Sequence, residues 1–166
     1  KVSDANIQIK NEGEIICILG PSGIGKTTIL RTIAGLEKIN KGQIILKDKV
    51  ISSEKTHLEP EKRNIALSFQ ENSLFPHYTV DKNIHLGLKK NSTNNKNINS
   101  NEIIKILNIS NILNKYPHQI SAGEAQRASL ARSLISQPDL LLLDEPLSNV
   151  DQSFKEDIQV ELKQIL

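Results

Sequence analysis

Apolar positions fall into short blocks whose spacing changes along the chain. Glu14 to Leu19 reads EIICIL, a β-branched run ended by Gly20, Pro21 and Ser22, and it predicts a buried strand entering a loop. Beyond the loop, Ile29, Leu30, Ile33 and Leu36 recur at helical spacing. A helix is therefore expected from Thr27 through Leu36, with Asn40, Lys41 and Gly42 breaking the pattern. From Gly42 to Ile51 two apolar runs flank Lys47, Asp48 and Lys49, which predicts a hairpin with Asp48 in its turn. A second buried strand is expected over Ile65 to Phe69. The Asn-, Lys- and Ser-rich tract from Leu86 to Glu102 carries too little apolar area to order itself and reads as a surface loop. Helices follow at Glu102 to Leu107 and Ser121 to Ser136, then a strand of four leucines, Leu140 to Leu143, and a last helix beginning near Asp151.

Strands alternating with helices favour an α/β fold with a mostly parallel sheet, a small antiparallel β region and a helical insertion. The expected division is a core of residues 1–71 and 139–166, interrupted by a helical subdomain over 72–138.

Composition narrows the function classes. The 166 residues are 37% hydrophobic and 24% charged, which is globular and enough for one domain. A formal net charge of +2 gives no electrostatic ground for a nucleic-acid partner, and none is expected. One cysteine, Cys17, excludes an internal disulfide and a multi-thiolate metal site; it fits a reducing compartment and is expected to pack as a small hydrophobe. No run approaches the ~18 apolar residues that span a bilayer, and KVSDANIQIK has no signal-peptide core, so a cytoplasmic module is expected. The chain contains no methionine, and the expectation is of a sequence trimmed at both ends.

Gly20, Pro21, Ser22, Gly23, Ile24, Gly25, Lys26 and Thr27 match G-x-x-x-x-G-K-[ST] in full, between a predicted strand and a predicted helix, and Thr28 follows. Glycines let successive N–H groups point into one concavity that cradles phosphates, and the helix N-terminus adds its positive end. Lys26 is expected to neutralise the β and γ phosphates of a nucleotide, and Thr27 to offer a hydroxyl to Mg²⁺. The leucine strand closes on Asp144, Glu145 and Pro146. Acids at the carboxyl edge of a parallel strand lie where ligands bind in such sheets. Asp144 is expected to hold Mg²⁺ through its water shell, and Glu145 to polarise the attacking water as general base. An acidic pair after leucines is by itself more often a solvated strand end; its order after the phosphate loop is what reverses that reading.

Five segments in order, GPSGIGKTT (20–28), FQ (69–70), SAGEAQR (121–127), LLLLDEP (140–146) and SNVD (148–151), make the chain resemble the ATP-binding subunits of ABC transporters over essentially its whole length. The resemblance implies ATP and Mg²⁺ as cofactors, with Gln70 reaching Mg²⁺ and the attacking water. It further implies a head-to-tail homodimer, or a paired ATPase subunit, in which Ser121 and Gly123 of one subunit clasp the γ-phosphate bound by the other. Ala122 stands where the family has a glycine and Glu124 where it has glutamine. The stretch from Glu59 to Ile84 resembles the subgroup that drives import of ions and small solutes. By that resemblance the residues from Leu74 to Val80 touch a transmembrane permease subunit and the module sits at the inner face of the cell membrane; a packed core segment is the plainer reading of Leu74, Phe75 and Val80. The family's switch histidine lies beyond SNVD, whereas His57, His77, His85 and His118 all precede Asp144; the family's adenine-stacking aromatic is likewise not in the sequence. ATP hydrolysis coupled to solute import is the leading expectation. A soluble ABC-type ATPase not coupled to transport, and a nucleotide-binding chain without turnover, remain the alternatives.

Overall fold

The computed structural model describes residues 2–3, 5–11, 13–68, 74–88 and 99–144. The first helix, α1, runs over Lys26–Ala34 and stops at Gly35, two residues before the end that hydrophobic spacing predicts. Gly35 takes φ 90, a left-handed conformation that a residue with a Cβ enters only under strain. Its N–H donates to Thr32 O and that of Leu36 to Arg31 O, so the orphan carbonyls of the last turn are closed by a Schellman motif. Leu36 is left on the surface, 44% exposed.

Strands β1 (Gln43–Leu46) and β2 (Lys49–Ser53) form the expected antiparallel hairpin, with Leu46 opposite Lys49 and an irregularity between Ile44 and Ile45. Lys47 and Asp48 both have positive φ, the signature of the two-residue turn whose twist matches the flanking strands. The Lys47 ammonium also pairs with Asp139, anchoring the hairpin tip to the segment before the last described strand.

Strand β3 (Ile65–Ser68) pairs in parallel with β4 (Leu140–Leu143), Ile65 opposite Leu140 and Ser68 opposite Leu143. The ladder extends at both ends, with Asp139 N–H donating to Asn64 O and Asp144 N–H to Ser68 O. A four-leucine strand buried on both faces is expected, yet only Leu142 is fully buried; the other three are half-buried, because β4 has a single partner strand among the described residues. Helix α1 packs on both β3 and β4.

The predicted strand over Glu14 to Leu19 is not a strand here. The segment joins neither two-stranded sheet, so its backbone has no ladder, and Ile15, Ile16 and Leu19 are 50%, 42% and 89% exposed. Cys17 lies in this segment and is exposed too, which overturns the expectation that it packs as a small hydrophobe.

The main apolar core lies among three helices: α2 (Val80–His85), α3 (Ser100–Ile106) and α4 (Ala122–Ile135). Val80, Ile84, Ile103, Leu107, Ile112 and Ala131 are wholly buried within it. Each fully buried large aliphatic side chain contributes about 1.5–3 kcal/mol, so this cluster fixes α4. Ala125, Ala128 and Ala131 recur along α4 at helical spacing and are all buried, which lets α2 and α3 pack close against its backbone. Leu74 and Val80 belong to the core, whereas Phe75 is 47% exposed and stacks edge-on with Tyr78, so the plainer alternative of a packed core segment fits two of these three residues. Asn83 holds this corner, accepting from Phe75 N–H at 2.7 Å with its Nδ2 3.1 Å from the carbonyls of Phe75, Tyr78 and Thr79.

Candidate functional site

The loop from Gly20 to Gly25 turns directly into α1, with Ile24 N–H donating to Pro21 O and Ile29 N–H to Gly25 O. Gly25 caps the helix with φ 108, and a Cβ placed there would meet Val2 Cγ2 at 2.6 Å, so conformation and space both require glycine. Lys26 bends back over the loop, its Nζ donating to Gly20 O at 2.8 Å and Pro21 O at 3.1 Å. An ammonium has three N–H groups, so a third remains for an incoming anion. The first N–H groups of α1, those of Lys26, Thr27 and Thr28, cannot be satisfied by the helix itself, and its first turn holds no acid. Ile24, Thr27 and Thr28 are exposed, leaving the mouth of the loop open to solvent. A fixed cation, free first-turn N–H groups and the helix dipole fit a phosphate ligand.

The far end of the same helix is held by a residue that periodicity does not reveal. Arg63 is 2% exposed, and its guanidinium donates to Thr32 O (3.2 Å) and Ile33 O (2.9 Å) of α1 and to Leu58 O (2.6 Å). It also reaches Ser52 Oγ on β2 at 2.8 Å and His57 Nδ1 at 3.3 Å; the guanidinium can only donate, so Nδ1 accepts. Burial lowers the pKa of Arg63, with Glu59 opposing the shift. A cation at a helix C-terminus complements the dipole, and here it also ties α1 to the hairpin.

Asp144, at the carboxyl end of β4, is half-buried and continues the ladder through its backbone N–H. Among the described residues no group of three or more His, Cys, Asp or Glu side chains could hold a metal by themselves. Mg²⁺ keeps much of its water shell and takes one or two protein oxygens beside phosphate oxygens; Thr27 and Asp144 are the described residues that could supply them. Gln70 and Glu145, the expected metal-reaching glutamine and general base, lie outside the described residues, as do Phe69, Pro146 and the SNVD segment.

Ser121 caps α4 as expected, its Oγ accepting from Glu124 N–H at 3.2 Å. Glu124 answers it: Oε2 accepts from Ser121 N–H at 2.8 Å and from Ser121 Oγ at 2.9 Å, completing a capping box. These hydrogen bonds, the one from Ser121 N–H foremost, hold the Glu124 carboxyl below the usual carboxylate range, and Lys115 and Arg127 add to the effect. Ser121 and Ala122 are exposed and Gly123 half-buried. The S-x-x-E spacing signals this reciprocal cap in the sequence itself.

No helix among the described residues is long and apolar enough to cross a membrane. Among known proteins, the chain is 40% identical over 166 residues to an Fe(3+) ions import ATP-binding protein of Fusobacterium nucleatum, covering 99% of this chain and 43% of that protein. It is likewise 40% identical over 164 residues to a maltose/maltodextrin import ATP-binding protein of Mannheimia succiniciproducens, covering 98% and 43% respectively. The chain thus spans less than half the length of the curated relatives it matches. A bacterial ABC transporter cassette solved as a dimer superposes with a TM-score of 0.79 at 28% identity, over 96% of this chain and 72% of that one. The ABC transporter family model matches residues 2–148, a span that holds the phosphate loop, the capped start of α4 and the acidic end of β4, and the chain belongs to that family.

Proposed function

We propose that this chain is the ATP-binding and ATP-hydrolysing part of a subunit that powers solute import. The observation that carries the reading is the phosphate loop: Lys26 folded over Gly20 and Pro21 at the open, acid-free start of α1. Supporting it, the relatives are named for import of Fe(3+), maltose, glycerol-3-phosphate and spermidine or putrescine; because those solutes differ, the solute belongs to the partner and not to this fold.

In this reading residues Gly20 to Thr28 wrap the phosphates, with Lys26 neutralising their charge. Thr27, Asp144 and Gln70 would hold Mg²⁺, which would neutralise charge on the phosphates. Glu145 takes the proton of the attacking water, and Gln70 orients that water. Because the transferred phosphoryl group needs little covalent help, rate comes from positioning and electrostatics, which a loop joined to a helix pinned at its far end supplies. Ser121 and Gly123 reach a nucleotide held by a second subunit, head to tail. Residues 72–138 act as the helical subdomain between core segments 1–71 and 139–166, and the exposed Phe75 and Tyr78 face a transmembrane permease at the inner side of the cell membrane.

Nucleotide binding by the full-length protein tests the reading. Lys26→Ala should weaken ATP affinity or turnover by about 100-fold or more, the scale of a lost charge-stabilising donor, while leaving the melting temperature nearly unchanged, because Lys26 touches only the loop's own carbonyls. Unaltered ATP binding and hydrolysis in that variant would refute it.

A further inference from the structure

The two longest helices among the described residues differ in the charge at their N-termini. Helix α1 has no acid in its first turn, whereas α4 carries Glu124 there. Glu124 is not a bystander. Its Oε2 takes both the backbone N–H of Ser121, at 2.8 Å, and the hydroxyl proton, at 2.9 Å. A serine hydroxyl has one proton, so a Ser121 that donates to Glu124 cannot donate to a phosphate. The carboxylate also neutralises the positive end of the α4 dipole, which would otherwise attract an anion.

We propose that the Glu124 carboxylate is a built-in competitor for the second subunit's phosphate, so that Ser121 clasps the nucleotide only after Glu124 releases its hydroxyl and N–H. This rests on the head-to-tail reading given above and adds its regulation: closure of the dimer is opposed by a negative charge already seated at the clasp. The N–H groups of Ala122 and Gly123, which the helix cannot satisfy, stay available for first contact, and Ser121 joins once Glu124 swings away. The charge adds its own opposition to the cap's hold on the Ser121 hydroxyl. A glutamine at this position can still accept from Ser121 N–H and keep the capping box, without the formal charge.

The test is self-association of the full-length protein in Mg²⁺ and a non-hydrolysable ATP analogue, followed by sedimentation velocity at low and high salt. Glu124→Gln should tighten the analogue-driven dimer about tenfold at low salt, as expected for removing one like charge beside a phosphate. The gain should shrink as salt screens that repulsion in the parent protein. Ser121→Ala should weaken the dimer. Glu124→Ser, which also lacks the charge, should tighten it as well and stands in if the glutamine variant folds poorly. If Ser121→Ala weakens the dimer but Glu124→Gln leaves it unchanged or weaker, the competitor role is overturned and the clasp survives. If neither variant alters association, the clasp itself is wrong and the proposal falls with it.

Discussion

Replacing Arg63 by methionine removes the donors that join three parts of the fold while keeping a side chain of similar length. The guanidinium serves five acceptors: the carbonyls of Leu58, Thr32 and Ile33, Ser52 Oγ and His57 Nδ1. Thr32 O keeps the Gly35 N–H as a second partner, and the Ser52 hydroxyl can rotate. The carbonyls of Leu58 and Ile33 are the main casualties, and each buried acceptor left unpaired costs about 1–3 kcal/mol. Against this, the variant no longer buries a charge, which lowers the penalty. The net expectation is about 3 kcal/mol, or roughly 6–12 °C in melting temperature for a domain of this size. Arg63→Lys keeps the charge but has a single point of donation in place of a planar fork, and should lose about half as much. Urea unfolding followed by circular dichroism measures both, with nucleotide affinity measured alongside. A loss below about 1 kcal/mol in the methionine variant would refute the reasoning, because it would mean the buried carbonyls find other donors.

Two further outcomes follow from the same geometry. Gly35→Ala places a Cβ at φ 90 and against the Arg63 guanidinium, so calorimetry should show a loss of about 2 kcal/mol or more; a neutral result would mean that the helix end rearranges freely. For pH, Glu124 has a folded pKa held below its unfolded value, so its stabilisation of α4 is complete above the unfolded carboxyl pKa of about 4.3 and fades as pH falls through the lower folded value. The stability cost of Ser121→Ala, about 1 kcal/mol near neutral pH, should therefore shrink in acid, and a cost independent of pH would show that the two residues do not act together.

What was legible in the sequence was local. The phosphate loop is eight contiguous residues whose glycine and lysine spacing dictates both its shape and its charge, and the hairpin follows from the Lys47, Asp48 and Lys49 break between apolar runs. Ser121 was legible as a cap for the same reason. The reciprocal role of Glu124 is legible too, through its S-x-x-E spacing. Arg63 and Asn83 were not legible. Each is a polar residue whose burial depends on backbone groups that only tertiary folding gathers: Arg63 links positions 31 residues apart, and Asn83 closes a loop on itself. The run from Glu14 to Leu19 shows the opposite limit. Its apolar, β-branched pattern satisfies every local criterion for a strand, but a strand exists only through its neighbours, and neither described sheet accepts it.

Helix α1 is held by different chemistry at its two ends, and this decides which end can work on a ligand. At its C-terminus the carbonyls are consumed by Gly35 and Leu36 N–H groups and by a buried guanidinium, so nothing there is left to bind or to move. At its N-terminus the glycine loop leaves N–H groups and one lysine proton unspent, facing solvent. A helix pinned at one end and unsatisfied at the other presents its free donors in fixed positions, and the cost of ordering them is met by folding rather than by the ligand. Helix α4 is pinned just as firmly along its length by the alanine-lined core, yet its N-terminus has been closed by its own glutamate. One carboxylate thus separates a helix start whose first-turn donors stay open from one already closed by its own side chain.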